Sequence, residues 1–201
     1  MNAVIFDIDG TLVQSDDVDA DLYMGAVQAV LGPVRLRESW ERYLDVTDSA
    51  ILEDICLDNK IVHTCDLRDE VRAKFVAALA HHIDSSGPFR EIPGARDFVL
   101  SLCASDRYLV AYATGGWAAS GKLKLSSAGF PLDIPLASSE DSPRRTGIMT
   151  HALAQMGSEF SSISYYGDGS WDRDAAKSLG WQFVAVGKIL AGLNRYEAVG
   201  A

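Results

Sequence analysis

The second half of the chain alternates, and that alternation leaves few folds open to it. From Ile92 onward, short apolar runs take turns with segments whose apolar residues recur at helical spacing. Ile92-Pro93-Gly94 opens a helix through Leu102, and Leu109 to Ala113 reads as a strand ending at Thr114-Gly115-Gly116. A helix from Ala118 to Ala128, stopped at Gly129, leads to a short strand from Ile134 to Ala137. Arg145 to Met156 reads as a helix, and Ser162 to Tyr166 as a strand ending at Gly167-Asp168-Gly169. Ala175 to Leu179 is helical, and Phe183 to Val186 forms the last strand. Strand, helix, strand, helix predicts an α/β fold: a mostly parallel sheet covered by helices on both faces.

One further strand opens the chain. Val4-Ile5-Phe6 is apolar and runs directly into Asp7-Ile8-Asp9-Gly10-Thr11-Leu12. The stretch is too abrupt for a helix. Residues two apart on an extended strand point to the same side, so Asp7 and Asp9 start out side by side where the strand ends. Like charges that close repel unless a cation or a shared proton compensates. The pair therefore reads as a metal-dependent site rather than a stabilising device.

Between this strand and Ile92 the pattern is all-helical. Ala20 to Leu31 has helical spacing and stops at Gly32-Pro33, a second helix is expected from Leu36 to Leu44, and a third from Ser49 to Leu57 with Asp48 as N-cap. A longer helix from Leu67 to Ile83 ends before Ser85-Ser86-Gly87-Pro88. The expected organisation is a core of residues 1–15 and 88–201 with a small all-helical cap, residues 16–87, inserted after the first strand. Ligand sites in open α/β sheets lie beyond the carboxyl ends of the strands. Three of the expected strands end in distinctive polar chemistry: Asp7 with Asp9, Thr114, and Asp168.

Composition narrows the function. A formal net charge of −10 argues against a general nucleic-acid binder, which needs a basic face. It does not exclude a small anionic substrate, because a local cation or metal overrules the global field. The three cysteines, Cys56, Cys65 and Cys103, share no metal-ligand spacing, so neither a disulfide framework nor a zinc site is expected. No leader pattern and no membrane-spanning run is visible, which makes the cytoplasm the expected location. The four histidines, His63, His81, His82 and His151, have no ligand spacing to the acidic motifs.

The ordered motifs resemble those of the haloacid dehalogenase superfamily across nearly the whole chain. Asp7-Ile8-Asp9-Gly10-Thr11 resembles its first motif and Thr114 its second. Arg145, with Arg144 as a competitor, stands where the third-motif cation is expected, although the usual residue is Lys and Thr146 replaces the usual Pro. Gly167-Asp168-Gly169-Ser170-Trp171-Asp172 resembles the fourth, acidic motif. The helical insert is similar to the cap of the phosphoglycolate phosphatase-like and β-phosphoglucomutase-like branch. The resemblance implies a three-layer Rossmann-like core and a Mg2+ ion bound by Asp7, the backbone carbonyl of Asp9, Asp168 and Asp172. Magnesium prefers such oxygen ligands, and a divalent cation offsets the charge that keeps a carboxylate from attacking a phosphate.

The resemblance further implies that Asp7 is the nucleophile, forming an aspartyl-phosphate. Asp9 would protonate the leaving alkoxide and then activate water. Thr114 and the Gly115 amide would hold phosphate oxygens, and Arg145 would offset their charge. An acid at Asp9 points to a phosphatase or a phosphomutase rather than a dehalogenase. The expectation is a phosphatase for a small phosphorylated metabolite, with no nucleic-acid or membrane partner and with a monomer as one possible state. The alternatives are a phosphomutase on a sugar phosphate and a non-catalytic phosphate- or metal-binding module. Trp117 and Trp171 are expected either to wall a substrate pocket or, for Trp117, to pack in the core. Thr47 and Asp48 are candidates for the same pocket, with helix capping as the competing role.

Overall fold

The computed structural model describes residues 1–197, so the last four residues of the expected core lie outside the described residues. Its centre is a five-stranded parallel sheet in which β1 (Asn2–Phe6) is flanked by β4 (Tyr108–Ala113) and β6 (Ser162–Gly167), with β5 (Leu136–Ala137) and β7 (Gln182–Ala185) at the edges. Phe6 is level with both Tyr112 and Tyr166. The residues just beyond these strands, Asp7, Thr114 and Asp168, therefore emerge along one edge, about 5 Å apart from strand to strand.

The sheet is buried on both faces, which is why β1 reads as a continuous apolar run. On one face Val4, Phe6, Val110 and Tyr112 pack with α4 (Ala95–Cys103) and α5 (Ala118–Ser127). On the other, Ile5, Ala111, Ala113 and Tyr165 pack with α6 (Arg145–Gln155) and α7 (Ser170–Ser178). The first of these cores continues without a break into the helical segment, through Tyr23, Leu52 and Phe75.

That segment comprises α1 (Asp16–Leu31), α2 (Asp48–Asp58) and α3 (Cys65–Ser86). It leaves and rejoins the core through a small antiparallel ladder that the sequence reading did not anticipate: β2 (Val13–Gln14) pairs with β3 (Arg90–Glu91). The helix expected from Leu36 to Leu44 is absent. Only one turn of 3-10 helix forms, Trp40–Arg42. Arg37 is drawn instead to Asp54 (2.5 Å) and Asp58 (2.8 Å) of α2, which holds this stretch as an irregular strap. Asp48 is the first residue of α2 rather than its cap, because Thr47 Oγ1 accepts from the Ala50 amide. Helix α7 begins five residues earlier than the Ala175 start expected from the sequence, at Ser170. Among the described residues no helix is long and apolar enough to cross a membrane.

Candidate active site

Asp7 is the first residue past β1, and its amide donates to the carbonyl of Tyr166 (2.9 Å). Asp168 follows β6 directly. Asp172 sits in the first turn of α7, where a carboxylate is favoured by the helix N-terminus. It is fully buried and accepts from the Gly169 amide and the Tyr165 hydroxyl, both at 3.2 Å. Only glycine fits at 167: an added Cβ would lie 2.7 Å from the Asp172 side chain. The result is a buried triad, Asp7, Asp168 and Asp172, with one carboxylate oxygen from each within 4.8 Å of the others.

Arg145, at the start of α6, faces this triad from below. Its Nη1 donates to Asp7 Oδ1 (3.1 Å), its Nη2 to the Val46 carbonyl (3.0 Å), and its Nε lies 3.5 Å from Asp172 Oδ1. Arg144 is exposed, so of the two candidate cations it is Arg145 that the fold brings to the carboxylates. Burial raises Asp7 well above the usual carboxylate range, and the Asp172 charge adds to this while Arg145 opposes it. Burial raises Asp172 as well, again against the pull of Arg145. Burial by itself would lower the pKa of Arg145, but Asp172 and Asp7 together push it up. One guanidinium is thus too little positive charge for three carboxylates. An all-oxygen, acid-rich, cation-deficient set fits a hard divalent ion such as Mg2+.

Thr114 is buried at the end of β4, and its Oγ1 accepts from the Gly116 amide (3.0 Å), which orients the hydroxyl at the sheet edge. Gly115 is obligatory for close packing, since a Cβ there would stand 2.6 Å from Arg145 Nη2 and 2.9 Å from the Val46 carbonyl. The helical segment docks at the same place. The Asp48 amide donates to the Gly115 carbonyl (2.8 Å), the Thr47 hydroxyl to the Pro143 carbonyl (2.8 Å), and the Trp117 amide to Asp48 Oδ2 (3.0 Å). Between core and segment lies a cleft of about 220 Å³. Its lining brings together Asp7, Asp9, Thr114, Gly115, Arg145 and Asp168 from the core, Thr47 and Asp48 from the segment, and Trp171. This is smaller than the range usual for drug-sized ligands, so it suits a small molecule.

Trp117 does not face Trp171. Its indole is fully buried between Tyr23 (5.7 Å) and Phe75 (6.1 Å), and Nε1 donates to Ser49 Oγ (3.0 Å). A large ring at the head of α5 seals the junction between core and helical segment, which is the packing role rather than the pocket wall. Asp9 also differs from the simplest expectation. Its carboxylate does not join the triad but turns to Lys124, whose Nζ lies 2.7 Å from both oxygens, and accepts from the Ser15 hydroxyl.

Lys124, on α5, was not singled out from sequence. Its side chain is 0 % exposed, and Nζ also donates to Asp19 of α1 (2.7 Å). Burial alone would lower its pKa, but the Asp19 and Asp9 charges raise it and keep it an ammonium. Asp19 is pushed up to about 6 by burial, against Lys124. Asp48 is raised well above the usual range by burial and then by the Asp19 charge. A single buried lysine thus ties the first-motif loop, the core helix α5 and the inserted helix α1 into one network.

A parallel α/β sheet with an acidic cluster at its carboxyl edge, a helical insert after the first strand and a small cleft between them defines a class of hydrolase. Residues 1–180 match the model of the haloacid dehalogenase-like hydrolases, and the chain belongs to that family. It is an enzyme of that fold. Its similar solved structures include a hydrolase from Pseudomonas syringae (18 % identity, 92 % of this chain and 84 % of that one, TM-score 0.72). CbbY from Rhodobacter sphaeroides, in complex with phosphate, is also similar (20 % identity, 99 % and 91 % coverage, TM-score 0.70). So is a protein assigned as a phosphoglycolate phosphatase from Lactobacillus plantarum (17 % identity, 92 % and 85 % coverage, TM-score 0.60). None of the curated proteins matches.

Proposed function

We propose that this enzyme is a Mg2+-dependent phosphatase that hydrolyses a small phosphate monoester through an aspartyl-phosphate. The observation that carries the reading is the buried set of Asp7, Asp168 and Asp172 around Arg145, with a second carboxylate two residues after Asp7. Asp7, Asp168, Asp172 and the backbone carbonyl of Asp9 would hold the ion. When bound it would neutralise the carboxylates and the phosphate and so let Asp7 act ionised.

The remaining steps belong to the chain's own groups. The Thr114 hydroxyl and the Gly115 amide would bind phosphate oxygens, and Arg145 would orient Asp7 while offsetting their charge. An Asp7 carboxylate oxygen forms a bond to phosphorus as the bond to the ester oxygen breaks. Asp9 would deliver a proton to that leaving oxygen. As carboxylate, Asp9 then takes a proton from water, whose oxygen attacks phosphorus and breaks the bond to Asp7.

In this reading residues 1–15 and 88–201 are the catalytic core, and residues 16–87 are a cap that opens to admit the ester and closes to limit water. The β2–β3 ladder is the natural hinge. Two exposed free cysteines, Cys65 and Cys103, accord with a reducing, cytoplasmic setting.

The deciding experiment measures phosphate release from a panel of small esters, with Mg2+ and with chelator, beside Asp7→Asn. Release that needs the metal and vanishes in the variant supports the reading. Undiminished release by pure, folded Asp7→Asn protein would overturn it.

A further inference from the structure

The charges lining the cleft are unevenly placed. Among the described residues that line it, Arg145 is the single cation, and it is turned to the phosphate end, where it donates to Asp7 and the Val46 carbonyl and lies 3.5 Å from Asp172. Lys124 lies behind the wall with no exposed surface, held by Asp9 and Asp19. Lys188 lines a separate hollow that shares only Asp168 and Ile189 with the cleft.

The wall that would face a leaving group is of the opposite character. It carries the carboxylates of Asp19 and Asp48 together with Tyr23, Trp40 and Trp171. The Tyr23 hydroxyl is already donated to the Asp48 carbonyl (2.7 Å). Asp48 accepts the Trp117 amide on Oδ2, and Asp19 accepts Lys124 on Oδ1, so each has a second oxygen for a donor in the cleft. A carboxylate or second phosphate on the substrate would meet two acidic side chains and aromatic faces, whose electron-rich rings repel anions, and among the described lining residues would find no cation beyond Arg145 at the phosphate end.

We propose that the substrate is the phosphate ester of a small alcohol that bears hydrogen-bond donors and no negative charge, a polyol or an amino alcohol. Its hydroxyl or ammonium donors engage Asp19 and Asp48, and its carbon skeleton lies against Trp40 and Trp171. This inference rests on the phosphatase reading and adds to it a charge rule for the leaving group. A rule of this kind separates substrates by what the site leaves unpaired, which discriminates more sharply than size.

The test is kcat/KM of the full chain with Mg2+ for glycerol 1-phosphate, O-phosphoethanolamine, phosphoglycolate and a sugar bisphosphate, with p-nitrophenyl phosphate as a reporter of competence. The expected result is at least about a tenfold preference for the first two over both anionic esters, a gap of about one RT ln 10 step. Trp40→Arg, which places a cation on that wall, is expected to narrow the gap by raising phosphoglycolate turnover. Equal or better turnover of phosphoglycolate or the bisphosphate by the unaltered enzyme would overturn the charge rule while leaving the phosphatase reading intact. Failure to cleave every ester, p-nitrophenyl phosphate included, would overturn the phosphatase reading and the charge rule with it. The comparison on unaltered enzyme decides the matter even if Trp40→Arg does not fold.

Discussion

Replacing Lys124 with Met keeps the length of the side chain and removes its charge. The ammonium makes contacts of 2.7 Å with Asp9 and Asp19 and has no exposed surface, whereas the two carboxylates keep 21 % and 19 % of theirs. Losing one partner of a buried ion pair costs about 3–5 kcal/mol, because the other charge is left uncompensated. The residual exposure of the aspartates places this site at the lower end, about 3 kcal/mol. For a chain of this size 1 kcal/mol moves Tm by about 2–4 °C, so Lys124→Met is expected to lower Tm by roughly 6–12 °C. Adding Asp19→Asn removes one of the stranded charges, and the double variant is expected to recover part of that loss, a non-additivity that a double-mutant cycle measures.

Activity supplies a second, separable readout. If Lys124 positions Asp9, its loss slows esters whose alkoxide must be protonated more than p-nitrophenyl phosphate, whose leaving group needs little help. A general acid contributes about 10²–10⁴-fold, and mispositioning it is expected to cost about 10–100-fold on an alkyl ester. Calorimetry or thermal fluorescence at pH 7 gives the first number, and steady-state kinetics on the two esters gives the second. A Tm within about 2 °C of the parent, or an equal fall on both esters, would refute the argument that this lysine organises Asp9.

Other consequences are as direct. Gly115→Ala pushes a methyl toward Arg145 Nη2 and the Val46 carbonyl, so phosphate release is expected to drop more than about tenfold with the sheet intact by circular dichroism. Burial pushes Asp19 up to about 6 in the folded chain, against the pull of Lys124. A carboxyl raised on folding supports stability at low pH and loses that support as pH climbs through the folded value. Asp19→Asn is therefore expected to flatten the part of the Tm-against-pH curve between about pH 4 and 7. Trp171→Ala is expected to raise KM for the preferred ester with little change in kcat, since the ring lines the cleft and carries no charge or acid-base group.

The sheet was legible because its signals are local. Apolar runs that end in Asp7, Thr114 and Asp168 declare both the strands and the edge where chemistry collects. Arg145 could be placed by its distance from the apolar face of α6. What escaped was decided by remote partners. Leu36 and Leu44 have helical spacing, yet they are 38 % and 86 % exposed, because Arg37 is bound to Asp54 and Asp58 of another helix. Lys124 reads locally as an ordinary helix charge; its partners stand 105 and 115 residues away in sequence. Trp117 and Trp171 stand alike at the starts of helices that follow strands, and only packing against Tyr23 and Phe75 takes the first out of the cleft. The one local clue to Lys124 was the apolar company of Leu123 and Leu125 around it.

The β2–β3 ladder has an evolutionary reading. Gln14 and Arg90 are ladder partners, so everything between them departs and returns through one narrow neck. Whatever is spliced there leaves the order of the sheet untouched and the carboxyl edge where it was. Recombination at that neck can exchange the element that inspects the ester while conserving the element that breaks it. A lineage built this way can diversify its diet without reinventing its chemistry, provided the newcomer again supplies a carboxylate to meet Lys124.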